Sequence, residues 1–302
     1  MFKEYLQEVL EPTLLFGVFA GLAGLAGAMY YGKAEVALGV LAIIGVVLAQ
    51  IGVNLIDDYS DYKTGIDKET KKTKFSGGSI LVASKKVSTA AVIRIAAVAL
   101  TAAGVIGAYL IYALQPVAGY IFILVVIGGL ATLFYARYLT HIPFFSEPFV
   151  AFCFAIIGVG VFIVSSGGAA NLPYIAIACA ACGIQVGVAG MANSIPDMKP
   201  DRKYGRRSFV VMLKSSKKSG NLYLIFEGIG YALLVAGMGL KVLPNTFVIM
   251  VVLMPAMQYV SRGMKAYKNA ESYEKVMGVN AALTMVYMLL VSVSYVLAML
   301  MI

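Results

Sequence analysis

Long apolar runs dominate this chain of 302 residues. They recur along its whole length, and each has about the 20 residues that an α-helix needs to cross a hydrocarbon core of roughly 30 Å. Only 13% of the residues are charged, whereas a soluble domain has about 25%. In lipid, a spanning segment must satisfy its backbone hydrogen bonds internally, which favours helices for runs of this length. The sequence therefore predicts an all-α integral membrane protein and argues against a soluble globular fold.

Nine such runs predict nine transmembrane helices. They lie at about residues 12–31, 35–56, 90–113, 117–137, 145–165, 173–195, 221–240, 244–261 and 278–301. Four of them begin at a proline, where the missing N–H costs little: Pro12, Pro116, Pro173 and Pro244. Residues 1–11 are amphipathic and mixed in charge, and they predict a short helix at the membrane interface.

The positive charges lie on one side of this topology. Of the 24 Lys and Arg residues, 22 fall at the N-terminus or in the loops after spans two, four, six and eight. This count includes Arg94 and Arg137, which lie at span edges, and the other two residues are Lys33 and Lys241. The positive-inside rule places that side in the cytoplasm, with the C-terminus outside the cell membrane. The net charge of +9 also attracts anionic head groups or a phosphorylated substrate, whereas nothing points to nucleic acid.

A short polar motif occurs twice. Motif one is DDYSDYKTGID (57–67) and motif two is DMKPDRKYGRR (197–207), and both read D-x-x-x-D-x-K-x-G. They follow spans two and six, so the chain predicts two related four-helix halves, about 1–140 and 141–262, with a last helix at 278–301. All are expected to belong to one domain, 1–302, around a central cavity, with both motifs on the cytoplasmic side.

The acidic residues of each motif are four apart, which places each pair on one helix face. The pairs are Asp57 with Asp61, and Asp197 with Asp201. Such pairs repel each other unless a cation joins them, and Mg²⁺ prefers carboxylates that it shares with substrate phosphates. Asn54 and Asn193 lie one turn before the motifs, and their amides could supply oxygen ligands or position a diphosphate.

Basic residues accompany the carboxylates. They are Lys63, Lys203, Arg206 and Arg207 beside the motifs, and Lys68, Lys71, Lys72 and Lys74 in the loop after motif one. Glycines follow each motif and allow a backbone to approach an anion: Gly65, Gly205 and the pair Gly77–Gly78. Together these residues predict a clamp on a leaving phosphate group.

Asp58 makes motif one read D-D-x-x-D, the metal-binding pattern of soluble polyprenyl diphosphate synthases. The whole chain resembles the UbiA superfamily of intramembrane prenyltransferases, which carries N-D-x-x-D-x-x-x-D after its second helix and D-x-x-x-D after its sixth. Asp57 stands where that family has Asn, and Gly65 stands where it has a third Asp, with Asp67 two residues later. The spelling D-Y-x-D-Y-K-x-G-I-D, followed by Gly77–Gly78–Ser79, is similar to the menaquinone-type naphthoate prenyltransferases. Residues 135–150 resemble a further family segment.

The resemblance implies transfer of a polyprenyl group from an allylic diphosphate, such as geranylgeranyl diphosphate, to an aromatic quinone precursor (dihydroxynaphthoate- or hydroxybenzoate-like). It implies Mg²⁺ as cofactor and no obligatory protein partner. The implied metal ligands are Asp57, Asp58, Asp61, Asp197 and Asp201. The implied catalytic residues are Asp61, Asp67, Lys63, Asp201 and Tyr135, and the diphosphate ligands are Asn54, Lys63, Asn193, Lys203, Arg206 and Arg207. The rings of Tyr59, Phe134 and Tyr135 are candidates to stabilise an allylic cation. The roles of His141 and Glu227 stay open.

Two other functions are compatible with parts of the pattern. One is geranylgeranyl transfer to geranylgeranylglyceryl phosphate in ether-lipid synthesis, another branch of the superfamily. The other is a cation transporter with paired carboxylates. It is disfavoured because transporter carboxylates lie near mid-bilayer, and because the lysines beside the carboxylates of this chain would repel the cation. A CDP-alcohol phosphotransferase is disfavoured because the D-G-x-x-A-R start of its motif is missing.

Overall fold

The computed structural model describes residue 9 and residues 12–32, 34–66, 69, 82 and 87–301. Its α-helices are α1 Leu14–Tyr31, α2 Val36–Thr64, α3 Thr89–Ala113, α4 Ala118–Phe134, α5 Ser146–Ser166, α6 Leu172–Asn193, α7 Met198–Lys203, α8 Phe209–Leu213, α9 Ser216–Gly239, α10 Met254–Lys265 and α11 Ala270–Leu300. Within the described residues, nine helical segments are long and apolar enough to cross a membrane. The predicted all-α architecture with nine spans is therefore confirmed, and α7 and α8 are short helices between spans six and seven.

Several predicted boundaries were wrong because polar residues extend the helices past the apolar runs. Helix α2 continues beyond the predicted end at 56, through motif one, and stops only at Gly65. Helix α11 begins before the predicted start at 278, where the Asn269 side chain accepts a hydrogen bond of 2.9 Å from the Ser272 N–H and caps the helix. Helix α9 starts at Ser216 instead of 221. The span predicted at 244–261 starts close to its predicted position, but its first part is a 3₁₀ helix, Asn245–Leu253. The predicted interfacial helix at 1–11 lies outside the described residues, apart from residue 9.

The nine spanning segments of the described chain form a closed ring. Each packs against the next one along the chain, α11 packs back against α1, and α1 also meets α5 across the ring. Helix α6 is the most enclosed, with 72% of its most apolar 18-residue stretch buried. The corresponding share is 17% for the segment Gln115–Phe134, which contains α4. The helix that leads to motif two is therefore central, whereas α4 lies on the outside.

Glycines allow the central helices to approach closely. A Cβ atom placed on Gly183 of α6 would lie 2.1 Å from the backbone oxygen of Ala151 in α5. A Cβ atom on Gly24 of α1 would lie 2.0 Å from the backbone oxygen of Gly158 in α5. Small residues at helix crossings provide the close packing that holds membrane bundles together. The central trio α1, α5 and α6 depends on these contacts.

Replacing Gly183 with alanine is expected to push α5 and α6 apart and lower the free energy of unfolding by about 1–3 kcal/mol, because the obstructing atom belongs to the backbone. Thermal denaturation of the purified protein in detergent measures the effect. Gly190→Ala is the matched control, since a Cβ there would meet nothing within 4 Å in the described structure. Equal melting temperatures for the two variants would contradict the prediction.

Candidate functional site

Motif one occupies the last turns of α2. Asp57 and Asp61 lie one turn apart on this continuous helix, as their spacing predicted. The helix ends at Gly65, which has a φ of +83° and donates its N–H to the backbone oxygen of Asp61 at 3.0 Å. Glycine adopts this left-handed conformation without the steric cost that a side chain would add.

Motif two begins after α6 has ended at Asn193. A turn leads to Asp197, whose backbone oxygen accepts the Asp201 N–H at 2.9 Å in the first turn of α7. Gly205 then has a φ of +83°, the same value as Gly65 in motif one. The repeated sequence therefore places a glycine with a left-handed backbone after each helix. The copies also differ, because motif one continues a spanning helix whereas motif two forms a separate short one.

Both motifs converge on the side chain of Arg206. Its Nη2 lies 2.5 Å from Asp61 Oδ1 and 3.9 Å from Asp57 Oδ1, and its Nη1 lies 3.6 Å from Asp201 Oδ1. Only 23% of the Arg206 side chain is exposed, and 9% of that of Asp201. The two motifs therefore meet at one end of the bundle, where three carboxylates share one guanidinium.

The cluster has an unusual electrostatic balance. Burial lowers the pKa of Arg206, but the carboxylates of Asp57, Asp61 and Asp201 outweigh this effect and hold it above its ordinary value, so the guanidinium stays charged. Burial also raises the pKa of Asp201 to about 6, although Arg206 acts in the opposite direction. A further cation beside Asp201 would favour its ionised form.

Tyr135 lies beside this cluster. Burial raises the pKa of its hydroxyl above the ordinary value, and the nearby Asp57 carboxylate raises it further, against the effect of Arg206. The ring stacks on that of Phe149, with centroids 6.1 Å apart. Tyr135 is therefore a neutral hydrogen-bond donor next to the carboxylates, as well as an aromatic face.

Hydrogen bonds tie the end of motif two and the start of α8 to the segment between α4 and α5 and to the start of α5. The Glu147 side chain is buried and accepts the Phe209 N–H on Oε1 at 2.9 Å. The Arg207 N–H donates to the Thr140 oxygen at 2.8 Å, and its carbonyl accepts the Phe144 N–H at 3.0 Å. These bonds hold the chain directly after the arginine that joins the motifs. Glu147 lies in the segment 135–150 that resembles a further family segment, and the sequence alone gave it no partner.

The predicted lysines have other neighbours. Lys203 Nζ lies 2.5 Å from Glu69 Oε1 and is 63% exposed. Lys63 Nζ lies 5.6 Å from the centroid of the Tyr59 ring, one turn earlier on α2. Both lysines stand at the rim of the cluster, where they face solvent and remain candidates for a diphosphate that enters from that side.

The two predicted asparagines are held differently. Asn54 Nδ2 lies 3.2 Å from the Thr13 hydroxyl, at the start of α1. Asn193 Oδ1 accepts a hydrogen bond of 3.2 Å from Asn280 Nδ2 in α11. The sequence analysis did not single out Asn280. An amide inside a long apolar run is a sequence signal for a functional role, and the structure shows that this side chain is fully buried.

The remaining predicted residues are only partly described. Asp58 is buried at 9% exposure, and Asp197 lies near Tyr267, whose pKa is raised by burial and then by that carboxylate. The His141 ring lies near Gly205 of motif two, since a Cβ atom placed there would come within 3.3 Å of it, and Glu227 is buried in α9 at 4% exposure. Phe134 is 44% exposed, whereas Tyr135 lies beside the carboxylate cluster. Several residues lie outside the described residues: Asp67, Lys68, Lys71, Lys72, Lys74 and Gly77–Gly78–Ser79.

The donor atoms suit a magnesium ion that is shared with a substrate. Carboxylate oxygens are the hard ligands that Mg²⁺ prefers, and it is usually held by one or two carboxylates together with phosphate oxygens. Among the described residues, no three His, Cys, Asp or Glu side chains are grouped to hold a metal ion by themselves. Carboxylates that approach from two sides of one guanidinium are compatible with a metal whose remaining ligands come from a diphosphate.

The sequence is similar to that of a curated enzyme. The chain is 25% identical over 221 residues to 1,4-dihydroxy-2-naphthoate octaprenyltransferase of Bacillus subtilis (strain 168). The match covers 70% of this chain and 66% of that enzyme, so the chain spans about two thirds of the length of the relative.

Solved structures share the fold. A UbiA homologue from Aeropyrum pernix K1 has a TM-score of 0.71 at 14% identity, over 95% of this chain and 98% of that one. A digeranylgeranylglyceryl phosphate synthase has a TM-score of 0.56 at 18% identity, over 98% of both chains. A UbiA homologue from Archaeoglobus fulgidus, bound to DMAPP and Mg²⁺, has a TM-score of 0.52 at 12% identity, over 94% of this chain and 99% of that one.

A family model covers nearly the whole bundle. The model of the UbiA prenyltransferase family matches residues 14–288, from the start of α1 into α11. This range contains Tyr135 and both aspartate motifs, including Arg206 of motif two, whose side chain reaches both motifs. The chain is therefore a multi-pass membrane protein that belongs to the UbiA prenyltransferase family.

Proposed function

We propose that the protein transfers a polyprenyl group from an allylic diphosphate to an aromatic quinone precursor, with 1,4-dihydroxy-2-naphthoate as the first candidate. The observation that carries this proposal is the convergence of Asp57, Asp61 and Asp201 on Arg206 at one end of a nine-span bundle. The naphthoate octaprenyltransferase of B. subtilis supports the choice of acceptor. The positive-inside rule supports a cytoplasmic position for this end.

In the proposed reaction, the diphosphate lies between the two motifs. Asp57 and Asp61 from one side, and Asp197 and Asp201 from the other, would hold Mg²⁺ against its oxygens. When bound, Mg²⁺ neutralises the charge that develops on the departing diphosphate. Arg206 is placed to donate to the same oxygens, because its two Nη atoms already reach both motifs.

Bond cleavage and bond formation then take place at the apolar side of the cluster. The allylic C–O bond breaks and its electron pair leaves with the diphosphate. A ring carbon of the acceptor forms the new C–C bond to the allylic carbon. The same ring carbon then loses a proton, or carbon dioxide if it carries the carboxylate, and the electron pair of that broken bond restores aromaticity. The Tyr135 ring can stabilise the positive charge on the allylic carbons, and the surrounding apolar helices exclude the water that would quench it.

A transfer assay tests the proposal. The full-length protein in lipid vesicles receives Mg²⁺ and radiolabelled geranylgeranyl diphosphate, and is offered dihydroxynaphthoate, hydroxybenzoate or geranylgeranylglyceryl phosphate in parallel. Labelled product with dihydroxynaphthoate, lost on chelation of Mg²⁺, is the expected result. Product with geranylgeranylglyceryl phosphate alone would show that this lipid, and not dihydroxynaphthoate, is the acceptor. No product with any of the three acceptors would contradict the proposed activity.

A further inference from the structure

The last helix holds the end of α6, from which motif two starts. The buried Tyr273 hydroxyl donates to the Ala192 oxygen at 3.0 Å. Asn280 Nδ2, two turns further along α11, donates to the Ala189 oxygen at 3.0 Å. Asn280 is 0% exposed and Tyr273 is 2% exposed. Helix α11 is therefore bonded to the last turn before the second aspartate motif.

These bonds also determine how the Asn280 amide is oriented. A backbone carbonyl only accepts hydrogen bonds, so the amide nitrogen of Asn280 must face Ala189. Its Oδ1 then faces the Tyr223 hydroxyl at 3.5 Å, which can donate to it. The orientation in which every contact joins a donor to an acceptor is therefore the one in which Nδ2 points towards α6.

The orientation of Asn280 determines that of Asn193 in turn. The same Nδ2 lies 3.2 Å from the Asn193 side chain, and two N–H groups cannot face each other. Asn193 must therefore direct its Oδ1 towards Asn280. Its amide nitrogen, with two N–H donors, is then on the opposite side, at the partly exposed end of α6, four residues before Asp197.

We infer that Asn280 is a positioning residue that makes Asn193 a hydrogen-bond donor to the substrate diphosphate and not an oxygen ligand of the metal. The inference rests on the proposed function and decides between the two roles that the sequence left open for Asn193. Amide N–H groups suit phosphate oxygens and repel a cation. Burying an amide in a membrane helix is costly unless its hydrogen bonds are made, and here they are made towards motif two.

The first test separates a donor from a metal ligand. Asn193→Asp keeps the size of the side chain and its acceptor for Asn280, but replaces the outward N–H groups with a carboxylate oxygen. We expect the dissociation constant of inorganic pyrophosphate, measured with Mg²⁺ by isothermal titration calorimetry, and its inhibition constant to rise at least tenfold, because a charge-assisted hydrogen bond is lost and a repulsion is gained. Unchanged or tighter pyrophosphate binding would overturn the inference, since a metal ligand tolerates this change.

The second test asks whether Asn280 acts through Asn193. Asn280→Leu should raise the inhibition constant of pyrophosphate about tenfold. In the Asn193→Ala background, the same substitution should add nothing, whereas a purely structural role would give effects that multiply. Multiplying effects, or normal pyrophosphate binding by Asn280→Leu, would overturn the inference.

A matched control shows whether loss of a buried polar group on α11 is sufficient. Thr284 is also 0% exposed, one turn beyond Asn280, and its hydroxyl donates to the Asn280 backbone oxygen. Thr284→Val should leave pyrophosphate inhibition within about twofold of the unmodified protein. A tenfold rise in this control would overturn the specific role of Asn280. If the unmodified protein neither binds pyrophosphate nor transfers a prenyl group, the proposed function itself fails.

Discussion

Asparagine in place of Asp61 or Asp201 is expected to lower kcat/KM for prenyl transfer about a thousandfold, the cost of removing a major electrostatic contact from an active site. Asparagine keeps the size of the side chain and one oxygen, but it removes the negative charge that attracts Mg²⁺. Both side chains are largely enclosed, at 13% and 9% exposure, so solvent cannot replace the lost charge. Steady-state transfer assays in vesicles measure the effect.

The control for this experiment is Glu271→Gln, which removes an exposed acidic group at the start of α11. Its activity should stay within about threefold of the unmodified protein, since exposed substitutions have small effects. Melting temperatures in detergent confirm that each variant is folded. If both aspartate variants keep more than about a tenth of the activity, these residues do not form the reaction centre that we propose.

Alanine in place of Arg206 is expected to lower kcat/KM at least about a hundredfold and to destabilise the protein without ligand. The guanidinium is the group that compensates three neighbouring carboxylates from two distant parts of the chain. Because about a quarter of the side chain is exposed, we discount the usual cost of breaking a buried ion pair to about 1–2 kcal/mol. Thermal denaturation measures this loss.

Magnesium should distinguish Arg206→Ala from a general defect. A divalent cation can replace the missing positive charge, so Mg²⁺ should raise the melting temperature of this variant more than that of the unmodified protein. Arg206→Lys should show intermediate activity, because one ammonium group cannot reach Asp61 and Asp201 as two separate Nη atoms do.

Arg202→Ala, an exposed arginine of α7 next to Asp201, is the matched control and should resemble the unmodified protein. Unmodified stability and rate in Arg206→Ala would contradict the central position of this residue.

The sequence was most informative where local rules suffice. Apolar length predicts the nine spans, because a helix must match the thickness of the bilayer. The repeated D-x-x-x-D-x-K-x-G pattern places a glycine at the same position in both motifs, and Gly65 and Gly205 share a φ of +83°. The boundaries were less predictable, since α2 and α11 continue as helices beyond the apolar runs. Ala, Glu and Lys at the start of α11 are good helix formers, whereas the Asp, Tyr, Ser and Thr residues at the end of α2 are not.

The sequence predicted poorly which charged residues meet. It placed Lys63, Lys203 and Arg206 together beside the carboxylates. In the described structure, Arg206 is the one of these three whose side chain contacts carboxylates of both motifs. Lys203 is the last residue of α7, and Arg206 follows the left-handed Gly205, so the end of the helix between them separates the directions of the two side chains. The described structure instead places Lys203 against Glu69.

By itself, the sequence determined the class of fold, the number of spans and the residue types of the site, because hydrophobic length and short-range spacing are local properties of a chain. Only the tertiary structure decided that Arg206 joins the two motifs, that Glu147 holds the segment behind it, and that Asn280 of the last helix orients Asn193. These contacts link residues separated by 62 to 145 positions. They depend on how helices cross and on which hydrogen-bond partner each buried polar group finds, and neither is set within a single segment.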